Sequence, residues 1–134
     1  MRAAVGLVVA VLLAWPAAAS AYITANTIDE QATFRADGAR VRATGPIGCS
    51  RGEQVAIRVT VSQRGTASSA RGRWKARCTG ELQHWQVRAS ARRGTRFEAG
   101  GGKVCAVAKT RSAARVTDTR EWCEPVLLSV RFGA

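Results

Sequence analysis

The sequence has few acidic residues and only one histidine. Nine Asp and Glu residues stand against 21 Lys and Arg residues in a chain of 134, and His84 is the single imidazole. One histidine and no Cys-x-x-Cys pair argue against zinc, because a structural zinc site needs four nitrogen or sulfur ligands at short spacings. The acidic residues are dispersed, and no Gly-x-Ser-x-Gly motif provides a serine nucleophile. We therefore predict no enzymatic activity, no metal and no cofactor.

Long apolar runs are also missing, except at the N-terminus. Residues 1–21 combine a short basic start, an apolar run over residues 3–15, Pro16 and the small-residue pattern Ala-Ser-Ala at 19–21. This combination is typical of a cleaved signal peptide, and the apolar run is shorter than the ~20 residues that a membrane-spanning helix needs. We predict that residues 1–21 are removed and that residues 22–134 form one secreted domain without a membrane span.

All four cysteines lie in the predicted secreted domain. Export places them in an oxidising compartment, where an even number of cysteines predicts disulfides. More than one pairing of the four cysteines is possible. We favour Cys49 with Cys78 and Cys105 with Cys123, because each pair closes a modest loop between neighbouring strands. No free thiol is expected in the exported protein.

Apolar residues alternate with polar ones in several short segments, and no long segment has helical periodicity. Alternation of this kind predicts half-buried strands. The clearest strand covers residues 54–63, whose β-branched apolar residues share one face: Val55, Ile57, Val59 and Val61. Asp37-Gly38, between two alternating runs, predicts a type I′ hairpin that brings Phe34 opposite Val41.

Two tryptophans flank a second predicted turn at residues 79–80. A two-residue turn there places Trp74 opposite Trp85, and this packing pair favours core positions for both rings. The same register places His84 on the other, exposed face. Trp122 lies in an irregular segment, so the sequence leaves open whether this ring belongs to the core or to a binding surface.

The segment before the last strand departs from alternation. Asp118 and Glu121 have the spacing of a capping box, which predicts one helical turn over residues 117–123, ended by Pro125. A closing strand over residues 126–132 follows. The pattern as a whole predicts an all-β fold, a two-sheet antiparallel Ig-like β-sandwich of about seven to eight short strands with two disulfides. A small closed barrel is the alternative.

Positive charge is the strongest feature of the composition. The formal charge is +12, and removal of Arg2 with the signal peptide leaves +11. A field of this sign favours anionic partners. The basic residues are scattered along the predicted strands, which favours a general surface charge over a dedicated nucleic-acid site. The densest cluster contains the candidate polyanion contacts: Arg88, Arg92, Arg93 and Arg96.

A valine-alternating strand that ends at Gln63 and three short motifs carry a resemblance to known proteins; the motifs are Gly-Pro-Ile-Gly-Cys at 45–49, Cys-Thr-Gly at 78–80 and Gln-His-Trp at 83–85. Over residues 44–122 the chain resembles small exported actinobacterial proteins that bear domain-of-unknown-function labels. The resemblance implies a secreted β-sandwich and implies no particular activity. Residues 125–130 are also similar to a strand of the subtilisin-inhibitor family, whose cysteine framework is spaced differently.

These features together predict a secreted, non-enzymatic protein that interacts with anionic partners outside the cell or in the cell envelope. An anionic cell-envelope polymer is the expected partner. The alternative function is a secreted inhibitor or binder of another protein, such as a protease. A small hydrolase is the third interpretation, and His84 would then be its acid–base residue.

Overall fold

The computed structural model describes residues 23–24 and 27–131. The predicted signal peptide and the end of the predicted closing strand lie outside the described residues. Seven strands follow one another in this part of the chain: β1 (Gln31–Phe34), β2 (Arg40–Gly48), β3 (Gln54–Gln63), β4 (Ser68–Arg77), β5 (Leu82–Ala91), β6 (Gly100–Ser112) and β7 (Arg115–Val130). Nowhere in these residues is there a helix with the length and hydropathy to cross a bilayer.

β3 confirms the strand that alternation predicts. It covers Gln54–Gln63, and its four β-branched apolar side chains are fully buried. Successive side chains of a strand point to opposite faces, so Arg58 and its outward neighbours on β3 remain on the surface. The same alternation in the other strands contributes further buried side chains, among them Val41, Ile47, Trp85, Val87, Val104 and Leu128.

The strands close into one barrel in the order β1-β2-β5-β4-β3-β6-β7. The predicted all-β class is confirmed, whereas the strands form this single closed barrel instead of the two sheets of an Ig-like sandwich. Closure depends on β1, which pairs antiparallel with β2 and parallel with β7. A parallel pair joins segments that are distant in sequence, and here it joins the first strand to the last. Local sequence patterns therefore carry no signal for it.

The first hairpin has the predicted register but a different turn. Phe34 lies opposite Val41, as the alternating runs require. The loop between the strands comprises residues 35–39, in which only Gly38 has a positive φ, of 67°. A type I′ turn needs positive φ at both central residues, so the predicted turn type is wrong.

The predicted pairing of Trp74 with Trp85 is also wrong. β4 and β5 pair at only two positions near one end, and Trp74 instead lies opposite Ile57 on β3. Trp85 lies opposite Gly45 on β2, and a Cβ at Gly45 would stand 2.6 Å from the indole ring. The ring thus occupies the space that a side chain at this glycine would need. Trp85 is fully buried, and Trp74 is half-buried against the core.

β7 continues through the segment for which the sequence predicts a helical turn, so that prediction is wrong. Thirteen register pairs join β7 to β6, with one shift beside Thr110, and this ladder prevails over a local capping pattern. Pro125 does not end the strand. Its ring nitrogen points to the edge of β7 that pairs with β1, and that pairing begins only at Leu127. No ladder hydrogen bond is lost there. Trp122 is only 9% exposed and belongs to the core.

Both predicted disulfides are present, in two different environments. Cys49 and Cys78 are buried, with 5% and 2% of their surface exposed. Cys105 and Cys123 lie directly opposite each other on β6 and β7, on the outer face, and Cys123 is exposed. Two disulfides indicate an oxidising, extracellular-type environment.

Candidate functional site

Three adjacent strands present an outer face with many basic side chains. The outward positions of β4, β3 and β6 are in register, so their side chains form rows across the sheet. Written from β4 through β3 to β6, three successive rows are Arg73-Arg58-Val107, Lys75-Ala56-Lys109 and Arg77-Gln54-Arg111. Rows are about 7 Å apart along a strand, and strands are about 5 Å apart. Six cations therefore share a patch roughly 14 Å long and 10 Å wide.

The rows surround an open groove of about 600 Å³. Its floor includes the short side chains of Ala56 and Val107, whereas the long cationic side chains stand around it. This volume lies in the range of about 300–1,000 Å³ that is typical of ligand sites. We call this feature the cationic groove, and its cations are Arg58, Arg73, Lys75, Arg77, Lys109 and Arg111.

The charges of the cationic groove are not compensated by ion pairs. Among the described residues the single ion pair joins Arg120 to Asp118, at 3.4 Å, and all six groove cations are exposed. Arg58 stands directly opposite Arg73, and like charges opposite each other on neighbouring strands are destabilising. One acid, Glu121 on β7, borders the groove from the side of β6. The groove is therefore a region of positive charge that costs the fold some stability.

The sequence of β4 explains why one face carries so much charge. Basic and small or aromatic residues alternate there with a period of two, so all the basic side chains point outward. The outward basic residues of β4 are Arg71, Arg73, Lys75 and Arg77. The inward positions hold small residues and one aromatic ring: Ala70, Gly72, Trp74 and Ala76. A Cβ at Gly72 would overlap the Val87 side chain, so this glycine lets β4 lie close to β5.

The four arginines predicted as polyanion contacts lie outside the groove. Arg88 is on the outer face of β5, Arg92 and Arg93 are in the turn after β5, and Arg96 is in the loop that follows; all four are exposed. The backbone N–H of Arg92 donates to the Ser69 carbonyl at 2.7 Å, which ties this turn to the start of β4. Their contribution to polyanion binding stays a prediction.

The sequence patterns did not predict the groove, because its residues come from three separate stretches, near residues 54–58, 73–77 and 107–111. Pairing brings these stretches together, and pairing is not visible in the local sequence. One signal was available, namely the basic residue at every second position of residues 71–77. In a strand that spacing places all the charges on one face.

His84, the acid–base candidate of the sequence, lies on the outer face of β5. It is exposed, as the sequence predicts, and lies opposite Pro46 on β2. Within the described chain no carboxylate accepts a hydrogen bond from its ring. General acid–base catalysis by histidine commonly needs an orienting partner of this kind.

Two acidic side chains have structural partners at one end of the barrel. Glu53 is buried and accepts a hydrogen bond from Thr117, whose hydroxyl lies 2.9 Å from that of Thr110. Asp118 accepts from the backbone N–H of Ile23 at 2.8 Å. This bond is the largest cause that lowers the pKa of Asp118; the Thr119 N–H and the Arg120 guanidinium act in the same direction, and burial opposes them. Both carboxylates are therefore engaged within the fold.

No model of a known protein family matches the chain, and a search of the curated proteins finds no similar sequence. The resemblance to exported actinobacterial proteins stays a prediction.

Proposed function

We propose that the protein is exported and binds an anionic polymer of the cell envelope through the cationic groove, without catalysing a reaction. The observation that carries the proposal is the group of six exposed cations around one open groove, with no ion pair to any described acid. The two disulfides and the N-terminal signal-peptide pattern support a location outside the cytoplasm.

The arrangement of the charges favours a polymer over a small anion. Along β4 alone, four basic side chains point outward at intervals of about 7 Å, from Arg71 to Arg77. Their row is therefore about 20 Å long. A ligand with a regularly repeated negative charge can contact several of these side chains at once. A small anion would reach only two or three of them.

The lining of the groove favours binding without chemistry. The described lining residues carry no carboxylate, imidazole or hydroxyl group. A hydrolytic site needs a nucleophile or a bound water with a general base beside it. Arginine forks and lysine ammonium groups instead provide hydrogen bonds to phosphate and carboxylate oxygens.

Binding measured across a salt series tests the proposal. The secreted chain, residues 22–134, is titrated with inorganic polyphosphate and with purified anionic wall polymer. Each cation that contacts the polymer releases counterions, so log affinity falls linearly with log salt. The double variant Lys75→Ala/Lys109→Ala should lower the slope by about two, at roughly one unit per contact.

The matched control is Arg40→Ala/Arg131→Ala, which removes the same charge from exposed positions on β2 and after β7. This control should leave the salt slope nearly unchanged. Equal losses in the two double variants would contradict the proposal and assign the binding to net charge alone. Tight binding to a secreted protein that is insensitive to salt, with no affinity for either polymer, would favour the inhibitor function instead.

A further inference from the structure

The disulfide between Cys105 and Cys123 is placed where small solutes reach it. It joins directly paired residues on the outer face of β6 and β7, and Cys123 is exposed while Cys105 is half-buried. The other disulfide is buried in the core. Disulfide exchange requires a thiolate to reach one of the two sulfur atoms, so exposure selects which disulfide reacts.

The charges around the two sulfur atoms are unequal. Lys103 lies two positions before Cys105 on the same face of β6, and Arg58 lies diagonally across on β3. Glu121 lies two positions before Cys123 on the same face of β7 and is diagonal to Cys105, just as Lys103 is diagonal to Cys123. The cation that distinguishes the two sulfur atoms is therefore Arg58, which is one strand away from Cys105 and two strands away from Cys123. Neighbouring cations stabilise a thiolate, so the negative charge that exchange creates is better placed on Cys105 than on Cys123.

We propose that Cys123 is a site of reversible modification by low-molecular-weight anionic thiols. The thiolate of the small molecule attacks the Cys123 Sγ, a new disulfide forms between them, and the Cys105–Cys123 bond breaks. Its electron pair leaves on the Cys105 Sγ, which remains a thiolate or takes a proton from water. In the reverse step the Cys105 thiolate attacks the Cys123 Sγ and expels the small thiol, which restores the original disulfide. No other oxidant or reductant is needed.

The fold survives this reaction because the disulfide is not what holds β6 to β7. The two strands share 13 register pairs, and the inner faces of both contribute to the core. The Cys49–Cys78 disulfide is distant from the reaction and remains closed. The modified protein is therefore expected to keep its strand content and its cooperative unfolding.

The experiment exposes the folded secreted chain, residues 22–134, to glutathione, quenches with an alkylating reagent and maps the peptides by mass. The expected products carry glutathione on Cys123 and the alkyl group on Cys105. They should form at least about tenfold faster than any product at Cys49 or Cys78. In denaturant, where burial is lost, the two disulfides should react at similar rates.

Three variants test the charge argument, with uncharged 2-mercaptoethanol as a second thiol. Lys103→Ala should slow the glutathione reaction by about two- to fivefold, the effect of one charge at roughly 7 Å in a largely aqueous medium. Glu121→Gln should accelerate it, more for glutathione than for the uncharged thiol. Arg40→Ala, which removes a surface charge on β2, is the matched control and should leave the rate unchanged.

Several results would overturn the proposal. If both disulfides resist the thiol until the protein unfolds, the Cys105–Cys123 disulfide has only a structural role. If glutathione is found on Cys105 and not on Cys123, the direction of attack is wrong. If Lys103→Ala and Arg40→Ala change the rate equally, the local charges have no part in the reaction.

Discussion

The acidic residues at the Asp118 end of the barrel have hydrogen-bond partners within the protein, whereas the cations of the cationic groove have no ion pair among the described residues. Asp118 receives hydrogen bonds from Ile23, Thr119 and Arg120, and the buried Glu53 accepts from a threonine hydroxyl. The groove cations have no such partner in the part of the chain that the structure describes, and they include a directly opposed pair of arginines. The first group stabilises the fold, whereas the second opposes it weakly.

This difference supports the binding surface that we propose. Charges that are engaged within the protein gain little from a ligand, because a ligand would have to replace bonds that already exist. Exposed cations that repel one another gain from any anion placed between them. The outer face of β4, β3 and β6 is therefore the surface to which we propose that an anionic polymer binds, because its negative charges would compensate the repulsion among these cations.

The largest effect on stability is expected at the partnered group. Asp118→Asn removes the charge that accepts from the Ile23 N–H, and we expect a loss of about 1–2 kcal/mol in the free energy of unfolding at neutral pH. Urea denaturation of the variant and of the original protein measures this loss. An unchanged stability would show that the N-terminal residues are not held by this carboxylate.

The same residue predicts a dependence on pH. The folded state lowers the pKa of Asp118 from its ordinary value of 3.8, so its stabilisation is present above that value and is lost as pH falls through the lower, folded pKa. The stability difference between Asp118→Asn and the original protein should therefore shrink below about pH 4. A constant difference from neutral to strongly acidic pH would contradict the assignment.

A smaller effect of the opposite sign is expected at the unpartnered group. Arg73→Gln removes the repulsion from Arg58, directly opposite on β3, and should stabilise the fold by about 0.2–1 kcal/mol at low salt. High salt screens exposed charges, so the gain should disappear there. Arg40→Gln on β2 is the control. Destabilisation by Arg73→Gln would mean that the arginine has a structural partner, and the contrast between the two groups would fail.

The parts of the fold that depend on neighbouring residues were predictable from the sequence. Alternation located β3, the two runs around residues 35–39 set the pairing of Phe34 with Val41, and loop length favoured the correct disulfides. The disulfides join cysteines that are 29 and 18 positions apart, whereas the alternation and the hairpin depend on residues that are close in the chain. Short-range patterns determine such contacts because a shift of one residue would move every apolar side chain to the wrong face.

The parts that depend on distant contacts were not predictable in this way. The parallel pairing of β1 with β7 turns the expected sandwich into a barrel. The long ladder with β6 prevails over the capping pattern of Asp118 and Glu121. The cationic groove belongs to this class, since its rows exist only after three strands are paired. Scattered charge in the sequence thus became concentrated charge on one surface.

The smallest effect is expected at the arginines that the sequence alone singled out. Arg92 and Arg93 lie in an exposed turn after β5, outside the rows of the groove. Replacing both by Ala should reduce polymer affinity only slightly, through the lower net charge, and should leave the salt slope nearly intact. The slope is the sharper measurement, because it counts the cations that displace counterions and is less sensitive to distant charges.

The control is the Lys75→Ala/Lys109→Ala variant, measured with the same polymer. Both double variants remove the same formal charge, so the position of that charge is the main difference between them. A fall of about two in the slope at Arg92 and Arg93, with no change at Lys75 and Lys109, would move the binding site from the groove to this turn.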